Sequence, residues 1–161
     1  MKFSPRLRAL YEACPEGQAL ADLCCDHGHL GVYAYTSMRF PRILFVDQVG
    51  HTMQSLEARF DQYVRRSDHP TSAIFLTSDA GKIPFALEGT VVIAGIGGVN
   101  MMRILNELKS ADRLKARTLI LAPHRHRELF EHTELFGLPH VRTLEVTEKG
   151  IIRPIFIFGL L

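Results

Sequence analysis

The chain has 161 residues, 47% of them hydrophobic, and a formal net charge of +2. That length and apolar content fit one domain with one sizeable core, and the charge is too small to argue for or against nucleic acid by itself. No apolar run reaches membrane-spanning length, the start Met1-Lys-Phe-Ser-Pro-Arg6 lacks the apolar core of a signal peptide, and Cys14, Cys24 and Cys25 make no disulfide framework. The expectation is a cytoplasmic protein in a reducing compartment, one domain over residues 1–161 with no internal repeat.

Ser4-Pro5 opens a helix, with a side-chain cap and a proline whose missing N–H costs nothing there. Leu7, Leu10, Tyr11 and Cys14 repeat at helical spacing, and Pro15 and Gly17 end the pattern. Gln18 to Cys24 is the first strand. It runs into Cys24-Cys25-Asp26-His27-Gly28-His29, a polar turn before a helix over Leu30 to about Met38. Ile43 to Val46 is an all-apolar strand of the kind covered on both faces, ending at Asp47. Met53, Leu56, Phe60, Tyr63 and Val64 mark the next amphipathic helix. Ala73 to Leu76 is a third strand that closes on Ser78-Asp79-Ala80-Gly81.

Val91 to Ala94 is a fourth strand, broken at once by Gly95-Ile-Gly-Gly98. Met101, Ile104, Leu105 and Leu108 form a helical face, and Thr118 to Leu121 a fifth strand ended by Ala122-Pro123-His124. A short helix over Leu129 to Phe136 is expected, closed by Gly137. Val141 to Val146 and Ile151 to Phe158 flank Glu148-Lys-Gly150 as a β-hairpin. Strand–helix units followed by a hairpin predict an α/β fold: a Rossmann-like, seven-stranded, mostly parallel sheet with helices on both faces, as in class I methyltransferases.

Open α/β sheets bind ligands outside the carboxyl ends of their strands. Acidic residues stand just past successive strands: Asp22 or Asp26 after the first, Asp47 after the second, Asp79 after the third. A nucleoside needs such a set, one carboxylate for ribose hydroxyls and one for an exocyclic amine. Taken singly, each aspartate is as easily a turn or helix cap. The glycines after the fourth strand let a flat substrate approach backbone closely, although a glycine-rich turn before a helix also explains them. A metal site is not expected, since adjacent cysteines point apart and His124, His126 and His132 are scattered. Arg103, Lys109, Arg113, Lys115 and Arg117 read as a solvated helix face or a phosphate-contacting one, with no interleaved aromatics to support sequence readout.

Ala21-Asp-Leu-Cys-Cys-Asp-His-Gly-His-Leu30, Ile93-Ala-Gly-Ile-Gly-Gly98 and Leu119-Ile-Leu-Ala-Pro123 resemble the bacterial tRNA (adenine-N1) methyltransferases that modify adenine 22, the TrmK family. Phe3-Ser-Pro-Arg-Leu7 and the Glu148-Lys-Gly150 turn extend the likeness over essentially the whole chain. The resemblance implies S-adenosylmethionine as cofactor and a tRNA adenine as acceptor. It implies a cofactor site of Asp22, Cys24, Asp26, His27, Asp47, Gln48, Asp79, Ala80, Ala94 and Gly95, an acceptor side of Gly97, Gly98, Pro123 and His124, and a catalytic role for Asp26. The departures are Cys24 at a family glycine, Asp79-Ala80 for an aspartate–glycine pair, and Ala122-Pro123-His124 for Gln-Pro-Asn. The sequence also ends after the hairpin, where the family continues into a C-terminal helical domain that helps to hold tRNA. The rival expectations are a degenerate, non-catalytic module that binds RNA or protein, and a methyltransferase for a small molecule or protein.

Overall fold

A computed structural model describes residues 4–63, 70–125 and 134–159, with side chains described for all of these except 61–63. Helix α1, Pro5–Ala13, starts on a Ser4 side chain that accepts from the Leu7 amide. Strand β1 (Leu20–Leu23) leads into α2 (His29–Thr36), β2 (Arg42–Asp47) into α3 (Gly50–Tyr63), and β3 (Ser72–Thr77) into a single 3-10 turn at Ala80–Lys82. Strand β4 (Leu87–Ala94) precedes α4 (Gly98–Ser110), and β5 to β8 follow as Leu114–Ala122, Glu134–Leu135, Leu138–Glu148 and Ile151–Gly159.

The sheet has eight strands in the order β3-β2-β1-β4-β5-β8-β7-β6. The pairs from β3 to β5 are parallel, and β8 joins β5 antiparallel. The chain reverses winding direction between β1 and β4, which lie side by side. In an open sheet a ligand crevice forms at such a switch point.

Apolar runs in the parallel strands supply both faces, as strands covered on two sides require. In β2, Ile43 and Phe45 pack with Leu10, Ala34, Tyr35, Met53, Leu56 and Phe60 from α1, α2 and α3. Leu44 and Val46 point the other way, into a core with Met101, Ile104, Leu105 and Leu108 of α4. Each alternate residue thus belongs to a different helix layer.

The described end of the helix expected at Leu129 to Phe136 needs correction. Residues 126–133 lie outside the described residues, and Glu134–Leu135 is a short strand paired to Leu138 and Pro139. The reason is the turn. Phe136 (φ 55°) and Gly137 (φ 85°) are both left-handed, so Gly137 closes a two-residue hairpin and not a helix. This adds the eighth strand and starts β7 earlier than the alternation implied. Val64, assigned to the helix that became α3, also lies outside the described residues.

Candidate active site

The loop after β1 is built under local constraint. Cys24 (φ 58°) and Asp26 (φ 49°) are both left-handed. Aspartate tolerates that region, whereas a cysteine there carries a steric cost. The loop is tied to the neighbouring strand end by hydrogen bonds. Cys25 N–H donates to the Val46 carbonyl at 3.0 Å, and Asp26 N–H donates to Asp47 Oδ2 at 3.0 Å. Asp47 Oδ1 accepts from Val49 N–H at 2.9 Å, so one carboxylate orders two loops.

Asp79 caps the 3-10 turn through the Gly81 amide at 2.9 Å and receives both terminal nitrogens of Arg103 at 3.2 and 3.3 Å. The Gly81 amide, then Arg103, hold its carboxyl below the usual carboxylate range. Arg103 also donates to Glu107 at 2.8 Å, one turn along α4. On the other side, Gly95 bends left-handed (φ 80°), and its amide donates to the Ala122 carbonyl at 3.1 Å. His124 N–H returns a bond to the Ile96 carbonyl at 2.9 Å. A Cβ built on Gly95 would sit 4.0 Å from His124 Nε2, so the imidazole faces the glycine bend.

These strand ends enclose a cavity of about 440 Å³ lined by Cys24, Asp26, Asp47, Gln48, Val49, Ser78, Asp79, Ala80, Ala94, Gly95, Ile96, Asn100, Arg103, Ile104 and His124. Cys24, Asp26, Asp47, Gln48, Asp79, Ala80, Ala94, Gly95 and His124 were chosen from the sequence, and the fold brings them together. A second cavity of about 400 Å³ lies at the opposite strand ends, beside Leu20, Arg42, Ile74 and Phe85, and holds none of them.

Other selected residues fall outside this lining. Asp22 is 4% exposed and sits below the loop, where Oδ2 accepts from the Gly31 amide at 3.1 Å. Burial pushes its carboxyl up to about 7, against the pull of that bond. His27 is exposed, with its ring 5.8 Å from His29. Gly97 caps α4, Gly98 N–H donates to the Arg125 carbonyl, and Pro123 is buried.

Sequence reasoning missed Arg103, Asn100 and Ile104 as cavity residues. Asn100, Arg103 and Glu107 share one helix face at i, i+3, i+7 spacing, but only the crossing of α4 over Asp79 turns that face inward. The rest of the basic group disperses. Arg113 donates to the Ile83 carbonyl, Lys115 pairs with Asp112, and Lys109 and Arg117 are exposed. Cys24 and Cys25 are half-buried free thiols, raised by burial, with Cys24 at about 11. Among the described residues no cluster could hold a metal ion, and no helix is long and apolar enough to cross a membrane.

The fold matches solved structures of low sequence identity. TrmK of M. capricolum in complex with S-adenosyl-homocysteine superposes with a TM-score of 0.80 at 15% identity, over 99% of this chain and 69% of that one. The M1A22 tRNA methyltransferase TrmK of B. subtilis gives 0.78 at 23% identity, over 98% and 66%. Sp1610 of Streptococcus pneumoniae in complex with S-adenosyl-L-methionine gives 0.77 at 20%, over 98% and 72%. No curated protein matches the sequence. The model of one protein family matches residues 3–134, and with the sheet order and the cavity at its switch point this establishes that the chain belongs to the methyltransferase domain family.

Proposed function

We propose that the protein is an S-adenosylmethionine-dependent methyltransferase of the cytoplasm that methylates N1 of an adenine in tRNA, with residues 1–161 acting as one domain. The observation that carries this reading is the cavity at the β1–β4 switch point, where Asp26, Asp47 and Asp79 face the Gly95 bend. Solved structures of this fold with S-adenosyl-homocysteine and S-adenosyl-L-methionine bound support the cofactor, and TrmK neighbours support the acceptor.

The residues present fit a nucleoside cofactor. The volume of about 440 Å³ lies within the range of small-molecule sites, about 300–1,000 Å³. Among the described residues Asp47 uses each carboxylate oxygen once, on the Asp26 and Val49 amides, and keeps acceptor capacity for ribose hydroxyls. Among the described residues Asp79 Oδ2 carries only the Arg103 bond and keeps capacity for an exocyclic amine. Cys24 stands where the resemblance has glycine, on the wall beside Asp26.

When bound, S-adenosylmethionine supplies a methyl carbon on a cationic sulfur, and transfer to a ring nitrogen leaves the base positively charged. The chain's own task is alignment plus charge stabilisation. The Asp26 side chain is 73% exposed and fixed at its backbone by Asp47. Its carboxylate stabilises a cationic base or accepts a proton from the exocyclic amine. Gly95 and the ring of His124 form the opposite wall, where a flat base has room.

The test is methyl incorporation into bulk tRNA from labelled cofactor, with digestion to locate 1-methyladenosine. Wild type should label adenine N1, and Asp26→Asn should lower kcat about 100-fold with S-adenosylhomocysteine affinity retained. Cofactor binding without labelled RNA would refute the tRNA assignment, and absence of cofactor binding would refute the enzyme.

A further inference from the structure

A further cavity of about 560 Å³ opens between the start of α1 and the β7–β8 hairpin. Its ionisable lining is Arg6, His124, Glu148, Lys149 and Arg153, three fixed cations against one carboxylate. His124 lines this cavity and the one at the switch point, so the two share a wall.

Arg6 is the unusual member. It is 8% exposed, yet it carries a full charge. One terminal nitrogen donates to the Ala122 carbonyl at 2.6 Å, and the other stands 3.9 Å from Glu148. Its buried Nε has no hydrogen-bond partner among the described residues. Glu148 at 3.9 Å lies beyond hydrogen-bond distance of the nearest Arg6 terminal nitrogen, which leaves that nitrogen a donor for an anion in the cavity. Arg153 donates to the His124 carbonyl at 3.0 Å, which holds a second guanidinium against the shared wall. Lys149 sits exposed on the hairpin turn.

We propose that this cavity is a phosphate subsite for a polynucleotide acceptor, seating the backbone phosphate beside the nucleotide whose base enters the neighbouring cavity. The proposal deepens the methyltransferase reading and rests on it for the position of the base. Because His124 lines both cavities, a base placed at the Gly95–His124 wall would lead its sugar-phosphate toward the second one. A small neutral acceptor would leave Glu148 as the sole carboxylate among the described lining residues to balance Arg6, Lys149 and Arg153.

The experiment measures tRNA binding to the full chain against salt, for wild type and for Lys149→Gln/Arg153→Gln. S-adenosylhomocysteine titration serves as the check on folding. The double variant should keep its S-adenosylhomocysteine affinity, bind tRNA about tenfold more weakly at low salt, and lose about one to two from the log–log salt slope. Lys149→Gln alone, at an exposed turn, gives a smaller change of the same sign if the double variant does not fold. Unchanged tRNA affinity and slope in folded variants overturn the subsite, as does wild type that binds no tRNA. Adenosine 5′-monophosphate binding as tightly as tRNA overturns the polynucleotide source. Variant-sensitive tRNA binding without methyl incorporation leaves the subsite standing and removes the methyl-transfer reading. Methylation with an unaltered KM in the variants does the reverse.

Discussion

At the scale of single residues, a buried acid beneath the site loop and a left-handed cysteine within it carry the testable energetics. Asp22 holds its proton up to about pH 7 in the folded chain, against 3.8 as its ordinary value. Unfolding therefore releases a proton between those values, and this group's contribution to stability falls as pH rises from about 4 to about 7. Asp22→Asn keeps an acceptor for the Gly31 amide and removes the titration. Its melting temperature should exceed that of wild type at pH 8, with the gap closing toward pH 4. Parallel melting curves across that window would exclude the buried acid as the cause. Cys24 makes a second case. Its φ of 58° suits glycine, and a non-glycine residue there costs about 1–2 kcal/mol. Cys24→Gly relieves that strain but gives the unfolded chain more freedom, so denaturant titration should find stability changed by less than about 1 kcal/mol. Cys24→Val puts a β-branched side chain in the same region and should destabilise by more than about 2 kcal/mol. Equal effects of the two would show that backbone strain is not the controlling term. The sequence marks Asp22 and Cys24 as important, but a string of letters carries neither burial nor φ.

At the scale of elements, α2 lies so close to the sheet that one position admits no side chain. A Cβ on Gly31 would stand 2.2 Å from Phe45 Cε1. Phe45 cannot retreat freely, because its ring stacks on Phe75 at 4.7 Å between centroids. Alanine is the better helix former by about 1 kcal/mol, so propensity alone favours Gly31→Ala. Overpacking costs about 1–3 kcal/mol and the clash here is severe, so the variant should lose stability by about 2 kcal/mol in urea. A stabilised variant would mean that α2 can slide on β2. The same scale explains the corrected element. Leu129 to Phe136 has the composition of a short helix, yet Phe136 and Gly137 both adopt left-handed backbone and reverse the chain into β7. Turn geometry of that kind depends on the strand it joins, which local spacing does not report.

At the scale of the whole molecule, the cavity is a product of topology. Cys24, Asp47, Asp79 and Gly95 are far apart in the chain and meet only because β1, β2, β3 and β4 are parallel neighbours with their carboxyl ends on one side. Ligand binding at that shared edge should stabilise the entire fold by mass action. S-adenosylhomocysteine at a hundred times its Kd contributes about 2.7 kcal/mol, or roughly 5–10 °C in melting temperature for a chain of this size. A shift below about 1 °C at millimolar ligand would count against a cofactor site. The sequence by itself determined the five parallel strands, the acidic residues after the first three and the glycine bend after the fourth, because hydrophobic periodicity and turn chemistry are local. Only the tertiary structure turned Arg103 onto Asp79, sank Asp22 beneath the loop, and set Arg6 beside Glu148 and Arg153. Those outcomes depend on which helix crosses which strand end, and that choice is made by packing both faces of one sheet at once.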